Sequence, residues 1–205
     1  YMNIEELTKD FYDFQTAGMK DSNGKFKALC FQSSPVGFWY LRDACEEWLG
    51  TSDPDEISAM LTDWDTVIAK GEEIYEKSNG TVQLWPNITE MVKVDAFSFD
   101  PLVRDGKLEI TDDWTGLIDN MRTMFGSKAN AELGSWGSEW AAAWNDGTLL
   151  FRVMPSWDFF TDWDANKGNV GIATPFNASY EGVTGTCVYN DSEKKDLAAT
   201  FLTYI

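Results

Sequence analysis

The sequence predicts an α/β protein, and three observations carry that expectation. Amphipathic helical stripes alternate with short strand-like runs along most of the chain. Glycine, proline and asparagine signals fall between them. No internal repeat or low-complexity tract interrupts the alternation.

The elements follow in order. NIEELTKDFYDF places Ile4, Leu7, Phe11 and Phe14 on one side of a helix over 4–14. Asn23-Gly24 reads as a turn, and KFKALCF (25–31) as a strand. FWYLRDACEEWLG reads as a strand running into a helix that closes at Gly50. In TDWDTVIAKGEEIYEKSNG, Thr62 and Asp65 fit a capping box with aspartate in place of glutamate. Trp64, Val67, Ile68, Gly71, Ile74 and Tyr75 then share a face, and Gly80 ends the helix. TVQLW (81–85) is the next strand, halted by Pro86-Asn87. A helix over 112–125 carries the stripe Trp114, Leu117, Ile118, Met121 and Phe125. SEWAAAWNDG is a helix ending at Gly147, and TLLFRVM the strand after it. NVGIA and GTCVY are two more short strands. Last, NDSEKKDLAATFLTYI is a helix with Asp191 or Ser192 as N-cap and a stripe of Leu197, Ala198, Phe201, Leu202 and Ile205.

Composition excludes several classes of function. With 16 basic against 34 acidic residues the net charge is −18, which repels phosphate backbones, so nucleic acid is excluded as a partner. Strongly anionic ligands are disfavoured for the same reason, which leaves neutral or cationic ones. A chain this acidic would be disordered if it were poor in apolar groups, but 43% hydrophobic and 15% aromatic residues give it a core. Cys30, Cys45 and Cys187 form no CxxC pair, and no histidine is present, so neither a disulfide framework nor a zinc site is implied. No cofactor or metal is expected. No apolar run approaches the roughly 20 residues of a membrane span. The chain opens on Tyr1 and stops on an apolar stripe, and is expected to be an excerpt of a longer protein.

Ten tryptophans are far above ordinary usage, and each is first of all a candidate for the core. Trp157 stands apart, because VMPSWDFF places a large flat indole just past a strand end, where turns favour small residues. It reads either as core or as a surface on which a ligand stacks.

Four blocks bring a family into view. GKFKALCFQSSPVGFWYLRDACEEW, TDWDTVIAKGEEIYEKSNG, SEWAAAWNDGTLLFRVMPSW and GTCVYNDSEKKDLAATFLTYI resemble, in order, segments of extracellular solute-binding proteins. The resemblance is to the sugar-binding, maltose-binding-protein-like class of ABC-importer receptors. It implies a type II periplasmic-binding-protein fold, a two-lobed receptor that closes over a sugar by a hinge motion. Roughly 100 residues of lobe one would be absent here. Residues 1–30 would then be a remnant of lobe one with the first hinge strand, 31–185 lobe two, and 186–205 the second hinge strand with a lobe-one helix.

The same resemblance implies ligand contacts. Gly147 to Trp157 has the family's spacing from glycine to a sugar-stacking aromatic, and an indole face matches the C–H face of a pyranose. Trp85 and Asn87 flank a cleft proline in the family pattern, and an asparagine amide can both donate and accept toward vicinal hydroxyls. Trp136, just before the helix over 138–146, lies near a family aromatic position. Gln32 and Ser34, in the loop after the first crossing, follow the same logic. Gly185 offers a backbone N–H, whereas Cys187 stands where relatives carry an aromatic and removes one contact. For each of these residues packing is the competing reading. Trp64, Trp114, Trp140 and Trp144 fall on helical stripes and read as core or lobe interface.

Other chemistries fit the sequence less well. DWDANKGN spaces Asp162, Asp164 and Asn166 like the start of a calcium loop, but Lys167 and Ala173 occupy the positions of its glycine and glutamate. A glycoside hydrolase needs a carboxyl pair about 5 or 6.5–9.5 Å apart. Asp158, Asp162 and Asp164 are candidates, yet no block resembles a hydrolase. A free-standing carbohydrate-binding module suits the aromatics but not the long helical stripes. The expectation is therefore a non-enzymatic receptor for a neutral carbohydrate, with an oligosaccharide favoured and a carbohydrate-active enzyme as the alternative. Its expected partner is the membrane permease of an ABC importer. Its expected location is extracellular or periplasmic, tethered through an N-terminal lipid anchor outside this sequence. Self-association of the excerpt is also expected.

Overall fold

The computed structural model describes residues 3–158, 166 and 168–204. They form two compact units, 1–34 with 181–205, and 35–180. The division falls after Ser34 and before Glu181, inside two strands, where the sequence places boundaries at 30/31 and 185/186.

In the larger unit the organising element is β1 (Leu29–Leu41), whose residues Val36–Leu41 are all buried. It pairs antiparallel with β4 (Phe151–Pro155) on one side, Phe38 facing Val153, and with β5 (Val170–Ala173) on the other, Phe38 facing Ala173. A strand with neighbours on both edges and cover on both faces reads as a continuous apolar run, which VGFWYL is. From β1 the chain enters α3 (Arg42–Leu49), which ends at Gly50 in the left-handed conformation, φ 81°. Asp53 then caps α4 (Pro54–Met60), accepting from the N–H groups of Asp55 and Glu56. That helix was legible as an Asp-Pro start but is absent from the expectations.

The capping box of α5 (Trp64–Lys77) sits one residue later than expected, on Asp63 and Thr66. Asp63 accepts from Thr66 N, and Thr66 Oγ1 accepts from Asp63 N. Gly71 lets α5 lie against the chain at Ala129 and Leu84, since a Cβ there would stand 2.3 Å from the Ala129 Cβ. The expected strand 81–85 is hydrogen-bonded along both sides, Gln83 to Thr148 and Leu150, Trp85 to Ala129 and Ala131. Helix α6 (Thr89–Asp95) and the hairpin β2 (Val103–Arg104) and β3 (Lys107–Leu108) lead to α7 (Asp112–Gly126). On α7 only Leu117 and Met124 are buried, while Ile118 and Phe125 are exposed. The expected stripe is thus only partly covered. Helix α8 (Ser138–Asn145) buries Trp140 and Trp144, and Gly147 (φ 70°) turns the chain toward β4.

In the smaller unit the expected helix 4–14 divides into α1 (Ile4–Leu7) and α2 (Asp13–Gly18). The Gln15 side chain accepts from Tyr12 N and starts the second helix afresh. Asp21 Oδ1 accepts from Asn23 N and Lys25 N, closing the turn at Asn23-Gly24. β6 (Tyr180–Thr186) pairs with β1 and lies earlier in sequence than the expected strand 185–189. The last helix, α9 (Lys195–Leu202), starts after the expected caps and has no side-chain cap. It buries Ala199 and Leu202 and exposes Leu197 and Phe201; Ile205 lies outside the described residues.

Candidate ligand-binding site

The larger unit gathers four tryptophans around one ion pair. β4 ends at Pro155 and runs into a 3-10 turn, Ser156–Asp158, that carries Trp157 half-buried at its centre. Asp158 turns inward and pairs with Arg152 of β4; the two are 1% and 3% exposed. The Arg152 guanidinium carbon lies 4.1 Å from the Trp140 ring centroid and 4.5 Å from that of Trp144. Those two indoles share a face of α8 because they stand four residues apart. Their π-faces help offset the desolvation of the buried cation.

Trp157 stacks on Trp136, with ring centroids 5.5 Å apart and planes inclined by 12°. Trp136 is 54% exposed, and its ring also meets that of Trp140 at 5.6 Å. Its φ of +69° is unusual for a bulky residue. Such backbone costs on the order of 1–3 kcal/mol and persists only where the surroundings impose it.

Those surroundings begin at Asn87. Its Nδ2 donates to Leu133 O at 2.6 Å and to Ser135 Oγ at 3.1 Å, while Ser135 Oγ donates to the fully buried Glu90 Oε1. Asn87 Oδ1 accepts from Thr89 and Glu90 at the start of α6. The loop before Trp136 is therefore pinned at both Leu133 and Ser135.

The expected contact residues separate accordingly. The structure brings Trp157 and Trp136 together as an aromatic pair with one well-exposed member. Asn87 needs correcting as a donor toward hydroxyls: both amide hydrogens go to Leu133 O and Ser135 Oγ, in the loop that leads to Trp136. Trp85 also needs correcting, because its indole is wholly buried, edge-on to Phe38 at 5.6 Å and Trp64 at 5.1 Å. It lies in a segment hydrogen-bonded on both sides, and its Nε1 donates to Asn87 O at 2.9 Å. Gln32, Ser34 and Gly185 belong to the other unit. Gln32 and Ser34 lie within β1, not in a loop, and Ser34 is buried. Gly185 is in β6, where a Cβ would stand 2.9 Å from the Ala28 Cβ, so close strand approach already accounts for the glycine.

Arg152 was missed as a site residue, and Asp158 was considered only as a hydrolase carboxyl. Their signal was an arginine inside an apolar strand and an aspartate directly after Trp157. The pairing leaves Asp158 buried and ionically engaged, unlike a carboxyl poised for glycoside hydrolysis. Asp162 and Asp164 lie outside the described residues; Asn166 Nδ2 donates to Asn145 Oδ1 at 3.3 Å. Two hollows of the same unit lie apart from the tryptophan pair. One, of about 450 Å³, is bordered by Asp43, Glu47, Asp146 and Asn169. The other, of about 430 Å³, is bordered by Asp63, Asp95, Asp112 and Phe176.

The fold is the α/β fold of periplasmic solute-binding proteins, type II. One crystal structure, an extracellular solute-binding protein family 1 member, superposes with a TM-score of 0.81 at 17% identity, covering 98% of this chain and 53% of its own. The galacto-N-biose-/lacto-N-biose I-binding protein of an ABC transporter from Bifidobacterium longum, in complex with lacto-N-biose, gives 0.74 at 18% identity, covering 98% and 52%. An ABC-transporter-associated binding protein from B. animalis subsp. lactis Bl-04, in complex with β-1,6-galactobiose, gives 0.72 at 16%, covering 98% and 53%. At these identities the likeness is one of fold, and the chain spans about half the length of the structures it matches. No curated protein matches the sequence. Over residues 2–205 the sequence matches the family of bacterial extracellular solute-binding proteins, and the chain belongs to that family. Among the described residues no helix is long and apolar enough to cross a membrane.

Proposed function

We propose that this chain is part of the substrate-binding component of an ABC importer and that its ligand is a neutral carbohydrate. The observation that carries the reading is the Trp136–Trp157 stack, a rigid aromatic surface held open by a pinned, strained loop. A pyranose lays its C–H face on such a surface and turns its hydroxyls outward. The net charge of −18 favours an uncharged ligand over an anionic one. Structures of the same fold are described in complex with lacto-N-biose and β-1,6-galactobiose, which makes disaccharides the first probes to try.

In this reading residues 35–180 are the second lobe, and the segments 1–34 and 181–205 belong to the first lobe and the crossings. The whole receptor acts outside the cytoplasmic membrane, tethered by a lipid anchor, and delivers its sugar to a permease. It performs no catalysis, and the Arg152–Asp158 pair supports that part by removing from solvent the carboxyl that follows Trp157 in sequence.

The test is titration calorimetry of the 205-residue chain with lacto-N-biose, β-1,6-galactobiose and maltose. A disaccharide should bind, and Trp136→Ala or Trp157→Ala should each weaken it by about 1 kcal/mol, roughly fivefold. Product release from any of these sugars would overturn the receptor reading. Affinity unchanged in both variants would overturn the platform.

A further inference from the structure

Trp157 sits at the centre of a single 3-10 turn, so its direction depends on how the turn's other side chains are held. The neighbour that does most is Asp158. Successive side chains in such a turn diverge by about 120°, so burying one directs the next. The Asp158 carboxylate is drawn inward to Arg152, which stands on β4 facing Trp39 of the central strand and lies under the indoles of Trp140 and Trp144. The turn is thus tied to the central sheet, one residue beyond the platform indole.

A buried ion pair is a poor way to gain stability, since apolar side chains of similar volume serve as well or better. What it supplies is direction, through charge-assisted bonds of narrow geometry. We infer that Arg152 and Asp158 are positioning residues, fixing the angle at which Trp157 presents its ring and meets Trp136. The inference rests on the platform reading above for its link to ligand, but the orientation itself can be measured with no ligand present.

The measurement is the Trp157 contribution to the near-ultraviolet circular dichroism of the ligand-free chain. It is the difference between each protein and the same protein carrying Trp157→Phe. Three backgrounds are compared: the natural sequence, Asp158→Asn, and the apolar double variant Arg152→Met with Asp158→Leu. The double variant removes both charges of the pair together and is expected to fold, with far-ultraviolet dichroism like the original. Positioning predicts that the Trp157 signal falls several-fold in both altered backgrounds although the fold is kept. Affinity for lacto-N-biose or β-1,6-galactobiose should fall by about fivefold, in the range of coupled neighbours. A double variant that keeps the Trp157 signal would overturn the inference. So would loss of folding in both backgrounds, since the pair would then be a stability element. If the natural chain binds neither disaccharide, the platform reading fails while the dichroism still decides the positioning.

Discussion

The amide of Asn87 donates to the carbonyl of Leu133 at 2.6 Å, joining the start of α6 to a loop 46 residues further along the chain. With the second donation to Ser135 Oγ, this one side chain holds the approach to Trp136. Asn87→Ala leaves Leu133 O and Ser135 without their donor and removes the acceptor for Thr89 N and Glu90 N. The expected cost is about 1–3 kcal/mol of stability, with sugar affinity reduced as in Trp136→Ala. Denaturant unfolding checks the first and calorimetry the second. A loss of stability with sugar affinity intact would detach the loop from ligand binding.

Two helical glycines should respond to alanine with opposite signs. Alanine at Gly71 would place its Cβ 2.3 Å from that of Ala129 and 2.9 Å from its Cα, so α5 must shift. Overpacking of that kind costs about 1–3 kcal/mol and outweighs the helix-propensity gain of about 1 kcal/mol. At Gly116, exposed on α7, a Cβ meets nothing within 4 Å, so Gly116→Ala should stabilise by up to about 1 kcal/mol. Thermal melts of the two variants should move in opposite directions.

Asp95 gives a pH dependence with a definite sign. Burial pushes its carboxyl above the ordinary 3.8, against the pull of hydrogen bonds from Trp64 Nε1 and Asn177 Nδ2, each 2.6 Å. A carboxyl whose folded value is raised contributes most below 3.8 and loses that contribution as pH rises through the folded value. Asp95→Asn keeps an acceptor for Trp64 and removes the titration. The melting temperature of the variant relative to the natural chain should therefore be higher at pH 7 than at pH 4. An offset independent of pH would contradict the assignment.

Leu197 and Phe201 of α9 are 67% and 65% exposed. Wet apolar side chains of this size forgo roughly 1.5–3 kcal/mol each, which a second copy could supply by covering them. Light scattering of the chain should show concentration-dependent association, reduced in Leu197→Glu with Phe201→Glu. Strictly monomeric behaviour at high concentration would rule this out.

Much of the fold was legible because local rules and packing agree. The buried run of β1 reads as a covered strand, Gly50 and Gly147 as helix stops, and the α8 stripe as buried tryptophans. Less of the candidate site was legible. Gln32 and Ser34 were placed in a loop by the family resemblance, yet β1 runs through them and Pro35 unbroken. The Arg152–Asp158 pair is six residues apart across a proline, a spacing that no helix or strand period brings together.

Trp85 and Trp136 show where the division falls. By itself the sequence determined the kinds of elements, their order and the family resemblance, since these depend on residue type and short-range spacing. It could not say which indole faces water. Periodicity states only which side chains share a face, and a face is buried or exposed according to what distant segments lay against it. Trp85 is enclosed because its extended segment, joined only by isolated bridges, is bonded to 129–131 and flanked by 148–151, with Phe38 and Trp64 packed on its ring. Trp136 stays exposed because Asn87, Ser135 and Glu90 pin its loop in a left-handed turn, where its indole meets Trp140 and Trp157 and keeps half its surface open.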